Sequence, residues 1–250
     1  MSLVKKALAK SNDIVAESTQ PLVADEPPKA KPQETATKQT DYKFFEIALS
    51  ADLAQLKTFK DIADKADYKA TALEKNDYLD YLKTYRIKGE NHPNRVLAWV
   101  FIWLVDLKRW NQVLDLFPTL VEQKQPLPKQ FKTSDWATFL VDQIYDDANW
   151  YLNNKRKPDK HAHTAFILAR IIDVVKDHDW TGREIAGGKL YAIAMKLEAA
   201  QNNFGNAIRY GRLAQQINDK AGVKTLLEKL EKKYSSDELK ETTQSQPQEA

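Results

Sequence analysis

Between Val96 and Val105 the chain runs for ten residues without a single charged or strongly polar side chain. A membrane-spanning helix needs roughly 20 such residues, so this run belongs in a protein core. Asn91-His92-Pro93 directly precedes it and is a helix-start signal. A helix over residues 94–108 is apolar almost all round, because Val96, Leu97, Trp99, Val100, Phe101, Trp103 and Leu104 leave no polar face. Such a helix must sit centrally, with other helices around it.

The rest of the chain has the same period. Phe44, Phe45, Ala48, Leu49, Leu53, Leu56, Phe59 and Ile62 recur at helical spacing, with Asp41 placed to cap the start. Tyr68, Ala72, Leu73, Leu79, Leu82 and Tyr85 mark a second helix that Gly89 ends, and the two form a hairpin. Trp110 to Gln123 follows a short turn at Lys108–Arg109, and Pro126 and Pro128 then break the chain. Further helices are expected over 134–149, capped by Thr133 or Ser134, and over 162–176, 181–201, 204–218 and 222–233. No sustained alternation of apolar and polar residues marks a strand. The class is therefore all-α: helical hairpins packed as a short tetratricopeptide-like or irregular array. The helix–turn–helix pairs 94–123 and 187–218 carry the tetratricopeptide likeness, the second with Ala207, Gly211 and Ala214 for close approach.

Residues 1–39 and 234–250 bury too little to offset the entropy of ordering them and are expected to be disordered. Residues 40–89 are the first hairpin and 90–233 the helical core. The opening MSLVKKALAKSNDIVAES has no long apolar stretch, so it is not a secretory signal. There is no cysteine, hence no disulfide, thiolate nucleophile or cysteine metal site.

Enzyme motifs are sparse. His92, His161, His163 and His178 include no pair at the i,i+4 spacing of a helical zinc site. Gly187-Gly188-Lys189 lacks the other glycines and the preceding strand of a phosphate loop. Asp142 and Asp146 are i,i+4 on one helix, the minimum for a magnesium site of nuclease type. A solvated acidic face gives the same spacing. Asp173, Asp177, His178 and Asp179 cluster at a helix end, where a capped turn is the simpler explanation.

The net charge of +3 is too small to argue for a polyanionic partner, so any such footprint is local. One cluster is Lys83, Arg86, Lys88 and Arg95, a second Lys124, Lys129 and Lys132. The third, Lys155, Arg156, Lys157 and Lys160, has only Asp159 against it. Cations in a loop can follow a phosphate backbone, which supplies affinity rather than sequence specificity.

The segment HPNRVLAWVFIWLVDLKRWNQVLDLFPTLVEQKQPLP resembles the small terminase subunit of Peduovirus-type tailed phages and their prophages. So does KLYAIAMKLEAAQNNFGNAIRYGRLAQQINDKAGVKTLLEKLEKK, with its Ala221-Gly222-Val223-Lys224 step between helices. The likeness spans about residues 41–235 as a whole-length pattern and includes no catalytic motif. It implies a subunit that binds double-stranded phage DNA in the cytoplasm of a bacterial host. It implies a large subunit that hydrolyses ATP, joint cutting and packaging of the genome, and no membrane. Assembly as a homo-oligomer is expected. Family members end in a basic tail, whereas this chain ends in Asp237, Glu238, Glu241 and Glu249. Two other readings stay open: a tetratricopeptide-like scaffold that binds only protein, and a stand-alone nuclease using Mg2+ at Asp142 and Asp146.

Overall fold

The computed structural model describes residues 33–131, 135–153 and 158–244, and the described residues are all-α. The helices are α1 (Gln33–Leu56), α2 (Ile62–Lys75), α3 (Tyr78–Ile87), α4 (Arg95–Asp106), α5 (Trp110–Glu122), α6 (Trp136–Asn153), α7 (Pro158–Val174), α8 (Glu184–Ala200), α9 (Phe204–Ile217) and α10 (Lys224–Gln244). None of them is long and apolar enough to cross a membrane. Residues 33–39 and 234–244, expected to be disordered, are helical as parts of α1 and α10, and the remainder of the two expected tails lies outside the described residues.

The chain divides into two compact units. The first runs through Arg109 and takes in Glu122–Pro128; the second comprises Trp110–Val121 and the chain from Lys129 onward. In the first unit α4 packs against α1, α2 and α3. Every α4 residue from Val96 to Val105 is buried except half-buried Trp99, as its unbroken apolar sequence demands. Asn94 caps it, accepting a 3.0 Å bond from the Leu97 amide. The compact units thus do not part at Gly89. An apolar cylinder needs cover on every side, and the first three helices supply it.

Helix bounds differ from expectation at several points, three of them instructive. α1 begins at Gln33, so Asp41 lies inside the helix instead of capping it. The expected second helix is two, α2 and α3, parted at Asn76–Asp77 where Asp77 adopts φ 54. The cause is a buried carboxylate. Asp52 of α1 accepts bonds from Asn76 Nδ2 (2.8 Å), the Tyr78 hydroxyl (2.6 Å) and the Tyr68 hydroxyl (2.8 Å). A straight helix through residue 77 would lose the Asn76 cap. Third, α6 is capped by Asp135, which accepts from the Thr138 amide (2.8 Å) and hydroxyl (3.0 Å). Thr133 and Ser134 lie outside the described residues.

The proline-bounded loop after α5 closes the first unit. Gln125 is buried, accepting from the Asn94 amide (2.7 Å) and donating to the His92 carbonyl (2.7 Å). Gln123 donates to the Glu90 carbonyl (2.9 Å), and its own carbonyl lies 2.8 Å from the Tyr85 hydroxyl. Two glutamines therefore satisfy the backbone of the 90–94 loop that helix packing leaves without partners.

In the second unit α6 and α8 run parallel. Arg183, just before α8, pairs with Asp135, just before α6; farther along, Lys189 pairs with Asp142 at 4.0 Å. α7 packs on both, and α8, α9 and α10 follow as antiparallel neighbours. Asn202, at φ 62, makes the tight α8–α9 turn. The Gly187-Gly188 pair serves packing: a methyl group at Gly187 would stand 2.8 Å from the Trp180 ring, and one at Gly188 2.8 Å from Asn218 Cβ.

Candidate functional site

The basic cluster of the first unit comes from the end of α3 and the start of α4. Lys83 and Lys88 are exposed and Arg86 half-buried at the C-terminal half of α3, and Arg95 is exposed on the first turn of α4. α1 supplies their neighbours. The Arg95 guanidinium donates to Ser50 Oγ at 2.9 Å, and Lys88 lies 3.8 Å from the Asp41 carboxylate. Arg95 and Lys88 thus each touch α1, at positions nine residues apart on opposite sides of that helix, and each is held by a single weak exposed contact that a stronger anion can displace. Exposed Ile87 lies among them.

His92 fills the gap beside this patch. Its ring packs edge-on against Tyr42 (4.8 Å) and Tyr85 (5.2 Å), and its Nε2 lies 3.5 Å from the Glu90 carboxylate. It is a packing histidine. Burial raises the pKa of Tyr42 and Tyr85, so both phenols are neutral hydrogen-bonding groups here.

Asp142 and Asp146 do lie on one side of α6, but the nearest charge to Asp142 is a cation. Lys189 Nζ stands 4.0 Å from Asp142 Oδ1 and 5.4 Å from the Tyr145 ring centroid. Burial raises the Asp142 pKa and Asp146 adds to it, while Lys189 pulls the other way. Among the described residues no group of three or more His, Cys, Asp and Glu side chains is arranged to hold a metal ion. The Lys189 ammonium occupies the side of Asp142 that a cation would otherwise approach.

The other acidic cluster is a scaffold. Asp179 folds back on Thr181, accepting from its hydroxyl (2.6 Å) and amide (2.9 Å). His178 turns inward against Trp180, its Nε2 3.7 Å from Asp135. Burial works to raise the Asp135 pKa, but the two Thr138 bonds, His178 and Arg183 together hold it below its usual value. His163 is exposed on α7.

Lys155, Arg156 and Lys157 lie outside the described residues, as do Lys132 and the side chains of Lys160 and His161. Lys129 is exposed and Lys124 half-buried.

One basic surface is not evident from the sequence. α9 contains Arg209 and Arg212 and no acidic residue, and it lines a groove of about 520 Å³ with α10. Glu231 of α10 holds Arg212 at 2.8 Å, and Lys233 lies 4.3 Å above the Phe204 ring. Its one signal is the absence of acids from α9, but scattered arginines gain meaning only once a helix face is known.

A family model described as phage small terminase subunit matches residues 46–182. A probable terminase, endonuclease subunit, of Haemophilus phage HP1 (strain HP1c1) is 28% identical over 207 residues, covering 78% of this chain and 70% of that protein. No solved structure matches.

Proposed function

Because this chain belongs to the phage small terminase subunit family, we propose that it binds duplex phage DNA and brings it to an ATP-hydrolysing large subunit for cutting and packaging. Family membership carries this reading. The exposed cations Lys83, Lys88 and Arg95, with Arg86 beside them, support it as a phosphate-binding surface. Lys155, Arg156, Lys157 and Lys160 would add phosphate contacts from the same chain. Several copies acting together would present more of these cations to one duplex, and a homo-oligomer is part of the proposal.

The test is filter binding of phage-end and scrambled duplexes, with and without the large subunit, over a range of salt. Binding that weakens linearly in log salt, and capture of the large subunit, are the expected results. A protein-binding scaffold predicts no DNA retained at any salt.

The name of the Haemophilus phage relative favours a second reading, in which cleavage resides in this subunit. Asp142 and Asp146 are the carboxylates that reading would draw on. Lys189 beside Asp142 argues against it. We therefore assign cutting to the complex, with this chain positioning the DNA.

A further inference from the structure

We propose that the outward face of the α9–α10 hairpin is a second duplex-DNA-binding surface, centred on Arg209, Arg212, Lys229 and Lys232. The inference rests on the DNA-binding reading above and assigns residues to it that lie outside the family-matched span of 46–182.

Charge is concentrated here. Residues 204–234 hold seven Lys and Arg against three Asp and Glu, more net charge than the +3 of the entire chain. The rest of the chain is therefore slightly acidic, and this hairpin stands out from it. The placement is also one-sided. On α9 the buried residues Ala207, Ile208, Tyr210, Gly211 and Ala214 take one side, leaving Asn206, Arg209, Arg212, Gln215 and Gln216 exposed. On α10 Leu227 and Leu230 are buried, while Lys224, Lys229, Lys232 and Lys233 are exposed together with one acid, Glu228.

The exposed α9 side chains are all hydrogen-bond donors, and none is an acid. Arginine forks match the paired oxygens of a phosphate. α9 has 14 residues and is about 21 Å long, a length of duplex that presents on the order of 12 phosphate charges. Glu231 does not spoil the face: bonded to Arg212, it holds that guanidinium at the groove edge. An acidic protein partner is the competing occupant, but a run of donors without exposed apolar anchors on α9 fits a polyphosphate better. Duplex DNA offsets the mutual repulsion of these cations along its whole length.

The experiment uses the full chain and a labelled random-sequence duplex, with affinity measured by anisotropy across a salt series. Three proteins are compared: the wild type, R209Q/R212Q and K229Q/K232Q. Among the described residues the lysine pair makes no fold-supporting contact, so that variant reports on binding even where R209Q/R212Q unfolds for want of the Glu231 tie. Each pair should reduce the slope of log affinity against log salt by up to about 2, near 0.9 for each phosphate no longer neutralised. Wild-type binding with unchanged slope and affinity in K229Q/K232Q overturns this surface and leaves the general DNA reading intact. The same unchanged slope with failed capture of the large subunit overturns it in favour of a protein partner. A wild type that binds no duplex overturns both readings together.

Discussion

The Tyr78 hydroxyl donates to Asp52 Oδ2 across 2.6 Å, and both residues are buried in the first unit. Tyr68 and Asn76 donate to the same carboxylate, so one acidic side chain of α1 holds the junction of α2 and α3. Asp52→Ala strands three donors at once. The loss should be about 3 kcal/mol or more, while Tyr78→Phe, which leaves the carboxylate two donors, should cost about 1–3 kcal/mol. Urea unfolding of both variants checks the order. Equal, small losses would show that the carboxylate is not the anchor.

The same network predicts alkaline lability. Burial, then the hydrogen bond and charge of Asp52, push Tyr68 up to about 12. Burial raises Tyr78 and Tyr81 further. Unfolded tyrosines release their protons near pH 10.0, so above it the folded state holds protons that the unfolded state has released. Stability from these groups is complete below about pH 10 and falls as pH climbs toward 12. Tyrosinate absorbance should rise together with the loss of helical circular dichroism. Free ionisation of every tyrosine while the helices persist would contradict the burial.

Two glycines of the would-be phosphate motif should resist substitution. Exposed helix positions gain up to about 1 kcal/mol on changing Gly to Ala. Gly205 has open space around it and should show that gain. Gly187→Ala and Gly188→Ala should instead destabilise by about 1–3 kcal/mol through overpacking against the Trp180 ring and Asn218. Thermal midpoints of the three variants separate the cases, and a raised midpoint for Gly188→Ala would refute the close packing.

These cases show which parts of the fold the sequence discloses. Val96–Val105 announces a central helix because its period is that of a buried cylinder, and the structure buries it. The break at Asp77 has a local signal in Asn76-Asp77, residues suited to a helix cap and a left-handed turn, but the carboxylate that anchors it, Asp52, lies far back in α1. Gln123 reads as the end of a helix and Gln125 as a loop residue, and only their bonds to Glu90, His92 and Asn94 reveal a packed closure. At the candidate sites the limits are the same. Lys83, Lys88 and Arg95 are visible as a cluster in the sequence, but the α1 partners of two of them, Asp41 and Ser50, are not. Asp142 and Asp146 are visible as a pair, but Lys189 lies on another helix, so the cation beside Asp142 is not.

That cation makes the nuclease question answerable without ambiguity about folding. Burial raises the Asp142 pKa, and Asp146 raises it further, so the charged carboxylate is disfavoured in the folded state despite Lys189. A carboxylate with a raised folded pKa opposes folding at pH above that value, and a neutral amide of the same shape removes the opposition. The exposed 4.0 Å ion pair with Lys189 offers little in return. D142N/D146N should therefore keep its helical content and a midpoint at about pH 7 equal to or slightly above the wild type. DNA binding should also persist, since the acidic pair repels phosphates. Cutting by the complete terminase, measured on concatemeric DNA with Mg2+ present, should proceed at close to the wild-type rate if this chain only positions DNA. A well-folded, DNA-binding double variant that no longer supports cutting would move the catalytic carboxylates into α6. It would also require Lys189 to leave Asp142 in the working complex.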